Sequence, residues 1–112
     1  MSTVQETLRR FGVTRCYKGF DYMAFALNLS MQNEDCLTAM TREIYLPIAR
    51  RFGVNWMAAE RNIRTITARA WQVNPQLLQE MAGYPLNDTP TNSEFLEILT
   101  HYLTTQKEET YR

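Results

Sequence analysis

Apolar residues recur at intervals of three and four along most of the chain, and no stretch alternates apolar and polar over the length of a strand. That is the period of an amphipathic helix, because residues three and four apart share one helical face. The spacing predicts helices over residues 3–11, 20–31, 37–52, 56–72 and 75–82. A sixth follows Thr91, with its apolar stripe at Phe95, Leu96, Ile98, Leu99, Tyr102 and Leu103. The boundaries have their own chemistry. Ser2 is placed to cap the first helix and Gly12 to stop it; the polar run Gln32, Asn33, Glu34, Asp35 breaks the second. Asn74 and Pro75 suit the start of the fifth helix and Gly83 its end. The run T-N-S-E at residues 91–94 spells a reciprocal capping box for the sixth, and residues 107–112 are expected to fray. The second helix is expected to turn Phe20, Met23, Ala24, Leu27 and Met31 inward. The third should present Met40, Ile44, Tyr45, Ile48, Ala49 and Phe52, with Pro47 kinking or restarting it. The expected fold class is an all-α, six-helix single domain over residues 1–112.

The junction between the third and fourth helices points to function. Ala49 stands four residues before Gly53, so two helices can approach closely there. Gly53 supplies the left-handed conformation of a tight turn, Val54 plugs the corner and Asn55 caps the next helix. This is the pattern of a helix-turn-helix, whose second helix enters the major groove. At 100° per residue, Ala59, Ile63, Ile66 and Ala70 fall within about 60° of one another and predict a core stripe. Met57, Arg61, Arg64, Thr65 and Ala68 lie opposite, and Glu60 and Arg69 flank the stripe. Arginine suits a groove-facing position because its planar fork donates two hydrogen bonds to guanine O6 and N7. Exposed arginines on an amphipathic helix also occur as a plain solvated face, and spacing alone leaves both readings open.

Charge has the same lean. The chain has no formal net charge, but residues 1–72 hold ten Lys or Arg against six Asp or Glu, and residues 73–112 hold two against six. A basic front suits a surface that meets a polyanion; a chance distribution of solvated charges is the plain alternative. Arg50 and Arg51 are within reach of phosphates, or simply complement a helix C-terminus. Thr91, Asn92 and Ser93 are placed to offer helix-terminal N–H groups to a phosphate, or merely to cap. Trp71 is expected in the core; Trp56, beside the cap, is expected in the core or else against the DNA backbone or the third helix. No apolar run approaches the roughly 20 residues of a membrane span, and the polar N-terminus lacks the apolar core of a signal peptide, so a cytoplasmic location is expected. Cys16 and Cys36 are expected to be reduced, partly buried thiols; with His101 the only histidine, the chain is expected to hold no metal site and no cofactor. No nucleophile–base pair or Gly-rich phosphate loop is present in the sequence, which argues against an enzyme.

Residues 18–104 resemble the C-terminal effector domain of the stage-zero sporulation response regulators, transcription factors of endospore-forming bacteria. The resemblance rests on KGFDYMAFAL, TREIYLPIARRFGV, AERNIRTITARAW and GYPLNDTPTNSEFLEILTHYL, of which PTNSEF is the most specific. It implies a six-helix fold with a helix-turn-helix that binds a short double-stranded DNA box, often in tandem copies. It also implies contact with the RNA polymerase sigma factor near the end of the recognition helix and on the helix that follows. Carried over by position, Glu60, Arg61 and Arg64 match base-reading residues. Ala58 stands where the family has an arginine, Thr65 where it has a histidine, and Pro47 one place later than the family proline. Losing a basic residue from that face implies weaker binding with less salt dependence. The family's receiver domain has no counterpart in the sequence; the initial Met and the N-terminal helix favour a stand-alone effector over a piece cut from a longer chain.

Two functions follow. The leading one is a sequence-specific transcription regulator that reads DNA through Glu60, Arg61, Arg64 and Thr65, with Asn55, Ala58 and Arg51 at the same surface, and that dimerises on DNA through the last helix. The other is a protein-interaction module that modulates a full-length regulator or sigma factor without touching DNA.

Overall fold

Six α-helices carry the chain: α1 Val4–Arg9, α2 Phe20–Gln32, α3 Leu46–Phe52, α4 Trp56–Val73, α5 Pro75–Ala82 and α6 Asn92–Thr110. The computed structural model describes the backbone of residues 3–110 and the side chains of residues 3–105, and among these residues there is no strand. Helices α2, α4 and α6 contact one another at the centre. Against them pack α5, on α4 and α6, then α3 on α4, and α1 on α2.

The helix ends obey local chemistry. Thr3 caps α1, its Oγ1 accepting the Glu6 N–H at 3.1 Å; Ser2, the expected cap, lies outside the described residues. Asn74 Oδ1 accepts the Leu77 N–H at 3.1 Å to open α5, and Gly83 closes it at φ +81°. The capping box of α6 is reciprocal. The Thr91 N–H donates to Glu94 Oε1 at 2.9 Å, and the Glu94 N–H donates to Thr91 Oγ1 at 3.1 Å. The helix continues to Thr110, past the point where fraying is expected; residues 111 and 112 lie outside the described residues.

The expected helix over residues 37–52 divides into three. A 3-10 helix covers Glu34–Thr38, a π-helical turn covers Thr41–Tyr45, and only Leu46–Phe52 is α-helical. Proline causes the second break. Pro47 has no N–H to donate, and its ring crowds the carbonyl four residues earlier. The backbone widens just upstream, where the Leu46 N–H donates to the carbonyl of Thr41, five residues back.

One continuous core holds the helices. From α4 it takes Ala59, Ile63, Ile66 and Ala70, the predicted stripe. The expected α2 stripe is corrected twice: Ala24 is only half-buried and outside the core, where Tyr22 and Ala26 are buried instead, and the end of the stripe shifts as well. Met31 is 37 % exposed, whereas Ser30 is buried, its hydroxyl 2.6 Å from that of Thr100 on α6 and donating to the Leu27 carbonyl. A buried hydroxyl pair satisfies two polar groups at once, and apolar periodicity cannot see it. Of the two placements expected for Trp56, the core is corrected and the other holds: it stands 36 % exposed and stacks on Tyr45, within the expected third helix, with ring centroids 6.3 Å apart. Cys16 is exposed rather than partly buried; Cys36 is buried, and both are free thiols.

Gly19, the cap of α2, packs tightly against α4. A Cβ there would lie 3.0 Å from both the Cβ and the backbone carbonyl of Asn62. A helix carbonyl cannot swing away, so Gly19→Ala is expected to cost about 1–3 kcal/mol through overpacking. Urea unfolding checks this: the midpoint falls while the slope stays constant.

Candidate nucleic-acid interface

The corner between α3 and α4 is rigid. Phe52, the last residue of α3, packs its ring against Tyr22 and Phe25 of α2, with centroids 5.1 and 5.9 Å away. Gly53 follows at φ +68°, and the Val54 N–H donates back to the Ala49 carbonyl at 3.1 Å. Asn55 then caps α4: its Oδ1 accepts the Met57 N–H at 2.8 Å, and its carbonyl accepts from Ala58 and Ala59. Asn55 is thus occupied with its own helix.

Helix α4 leaves one face to solvent. Arg61, Arg64 and Thr65 are exposed, Met57 is 51 % exposed, and Ala58 and Ala68 are half-buried. Among the described residues, the Arg61 side chain has no hydrogen-bond or ion-pair partner. Arg64 does: its Nε lies 3.5 Å from Glu60 Oε2, one turn back, with side chains 65 % and 29 % exposed. A solvated pair at this spacing contributes only about 0.3–0.5 kcal/mol. A guanine fork discriminates by roughly 1–3 kcal/mol. The pair orients Arg64 without sequestering it. The Thr65 hydroxyl donates to the Arg61 carbonyl at 3.0 Å, which turns it toward its own helix.

Glu60 sits at the edge of this face, where α4 meets the start of α6. Asn92 Nδ2 donates to Tyr45 Oη at 2.9 Å and more weakly to the Glu60 carbonyl at 3.4 Å. Burial pushes the Tyr45 phenol above its ordinary range, and the Glu60 carboxylate adds to that. The Asn92 bond and the Arg64 guanidinium oppose it. The phenol is therefore neutral near neutral pH. Thr91, Asn92 and Ser93, expected only as caps or phosphate holders, border a groove of about 460 Å³ with Tyr45, Glu60 and Arg64 on its other side.

The expected residues do not all converge. Asn55, Ala58, Glu60, Arg61, Arg64 and Thr65 gather on the first half of α4 or its cap. Arg50 and Arg51 are exposed across the turn, at the end of α3, with the Arg51 guanidinium 5.5 Å from the centroid of the Phe52 ring. Arg69 is elsewhere: its Nε lies 3.4 Å from where a Cβ on Gly12 would stand, so it flanks the α1 end of the molecule. Tyr45, which lines the groove, and Met57, on the exposed face, lie beside the expected residues. The spacing marks Tyr45 only as part of the inward stripe of the expected third helix, and the helical wheel puts Met57 on the outer face.

Over residues 4–103 the sequence matches the family model described as sporulation initiation factor Spo0A C terminal. The chain belongs to this family. The Spo0A C-terminal domain is the DNA-binding effector domain of Spo0A-type regulators, so the chain falls in a DNA-binding, transcription-regulating class. The all-α, six-helix architecture agrees with that membership. Among the described residues no helix is long and apolar enough to cross a membrane.

Proposed function

We propose that this Spo0A-type domain recognises duplex DNA by sequence, with α3 across the backbone and α4 in the major groove as a helix-turn-helix. The observation that carries the reading is the Arg61 guanidinium, unpartnered among the described residues, which shares an exposed face with Arg64 just past a rigid corner. Arg61 and Arg64 each offer a fork to guanine O6 and N7, and Glu60, when Arg64 swings away, accepts from cytosine N4. Arg51 and the backbone around Asn55 face phosphates, and Thr65 contacts whichever base or phosphate follows Arg64. Ala58 adds no charge, so the salt dependence is modest. Contact with sigma factor near the end of α4 and on α5, and pairing of two copies on DNA, belong to the same reading. Pairing needs a surface other than the α6 stripe, because Phe95, Leu96, Ile98, Leu99 and Leu103 are buried within the chain.

The test selects duplexes from a randomised pool and titrates the best of them, and a scrambled version, at several salt concentrations. The reading expects clear preference for the selected duplex and a log-linear fall of affinity with salt, with a slope of about −0.9 per phosphate contact. Absence of any preferred duplex would overturn it. The half-neutralised face of Glu60 and Arg64 would then favour the protein-interaction module, read by capture of sigma factor or a full-length regulator.

A further inference from the structure

We infer that Met57 is a specificity-determining residue that reads the C5-methyl group of a thymine; this rests on the groove-docking reading above. Met57 occupies the first turn of α4, on the same outward side as Arg61 one turn further on and Arg64 beyond it. It is 51 % exposed, the most exposed of the large apolar side chains among the described residues, and it takes no part in the core. The corner does not need it as a cover, because Val54 plugs the turn and Trp56 lies on Tyr45. Its backbone N–H is held by the Asn55 cap, which fixes where the side chain starts.

Helical side chains lean toward the N-terminus, so Met57 extends the α4 face beyond Arg61, toward the end that goes deepest into a groove. The face is then mixed in chemistry. Guanidinium groups suit guanine acceptors, and an unbranched thioether suits the one apolar group that the major groove displays, the thymine methyl. The neighbouring Ala58 is too short to compete for that contact and carries no charge to hydrate it.

Replacing thymine by deoxyuracil removes that methyl and nothing else. In the selected duplex, each thymine is exchanged in turn and bound to the wild type, Met57→Leu, Met57→Gln and Met57→Ala. One position is expected to weaken wild-type binding about fourfold, the value of one methyl group withdrawn from water. Met57→Leu should keep that sensitivity. Met57→Gln and Met57→Ala should bind the thymine and deoxyuracil duplexes equally while still preferring the selected site through Arg61. If the wild type ignores every exchange, or if Met57→Ala stays as sensitive as the wild type, the inference is overturned while groove docking stands. If no duplex is preferred at all, both fall.

Discussion

Arg61→Ala is expected to lower affinity for the selected duplex by roughly five- to 150-fold, the equivalent of the 1–3 kcal/mol carried by one bidentate guanine contact. The structure gives two reasons to expect the larger part of the loss here rather than at Arg64. Arg61 has no partner to release among the described residues, so its whole interaction with a base is gained on binding. Arg64 must first leave Glu60, which subtracts a few tenths of a kcal/mol. Fold stability should not change in Arg61→Ala, because the side chain is exposed and touches no core residue. Arg61→Lys separates charge from geometry. It retains the phosphate attraction and the salt slope but loses the fork, so binding to scrambled duplex persists while preference collapses.

Phe95→Ala is expected to have the largest effect on folding, about 3–5 kcal/mol. Phe95 is fully buried at the first turn of α6, and its ring meets the edge of Phe11 at a centroid distance of 6.1 Å and 72° between planes. Its removal opens a void between the α1–α2 connection, which carries Phe11, and the rest of the core. A domain of this size has about 5–15 kcal/mol in total, so a large fraction of the margin goes. Thermal unfolding should show a fall of well over 10 °C. The folded fraction should still bind the selected duplex as the wild type does, since Phe95 lies away from the outer face of α4. Equal loss of stability and intrinsic affinity would instead mean that the corner depends on this part of the core.

Helix placement was readable wherever periodicity and capping agree. The core stripe of α4, the bounds of α5 and the reciprocal box before α6 all come from local rules that tertiary packing left intact. The segment before α3 was not readable in detail. Pro47 announced a disturbance, but a π-helical turn upstream depends on how the backbone relieves a missing donor, and no residue code specifies it. Ser30 was hidden for a different reason: its burial depends on Thr100, seventy residues later. In the candidate site, the outward direction of Arg61 and Arg64 follows from the wheel. The Glu60–Arg64 pair is implied by their four-residue spacing, although the sequence reading did not draw it. The link from Asn92 to Tyr45 and Glu60 was out of reach, because it joins three segments distant in sequence. Trp56 stayed open between core and the preceding helix because a tryptophan beside a cap suits either; stacking on Tyr45 holds it at the surface.

Dimethyl sulfate footprinting of the selected duplex tests most directly whether α4 presents its guanidinium groups to base edges. The reagent methylates guanine N7, which is open only in the major groove. Bound wild type should protect at least one guanine, and Arg61→Ala, at a concentration that restores full occupancy, should expose that same guanine while the others stay covered. Full occupancy with every guanine N7 as reactive as in free DNA, or protection that survives the loss of Arg61 unchanged, would contradict it.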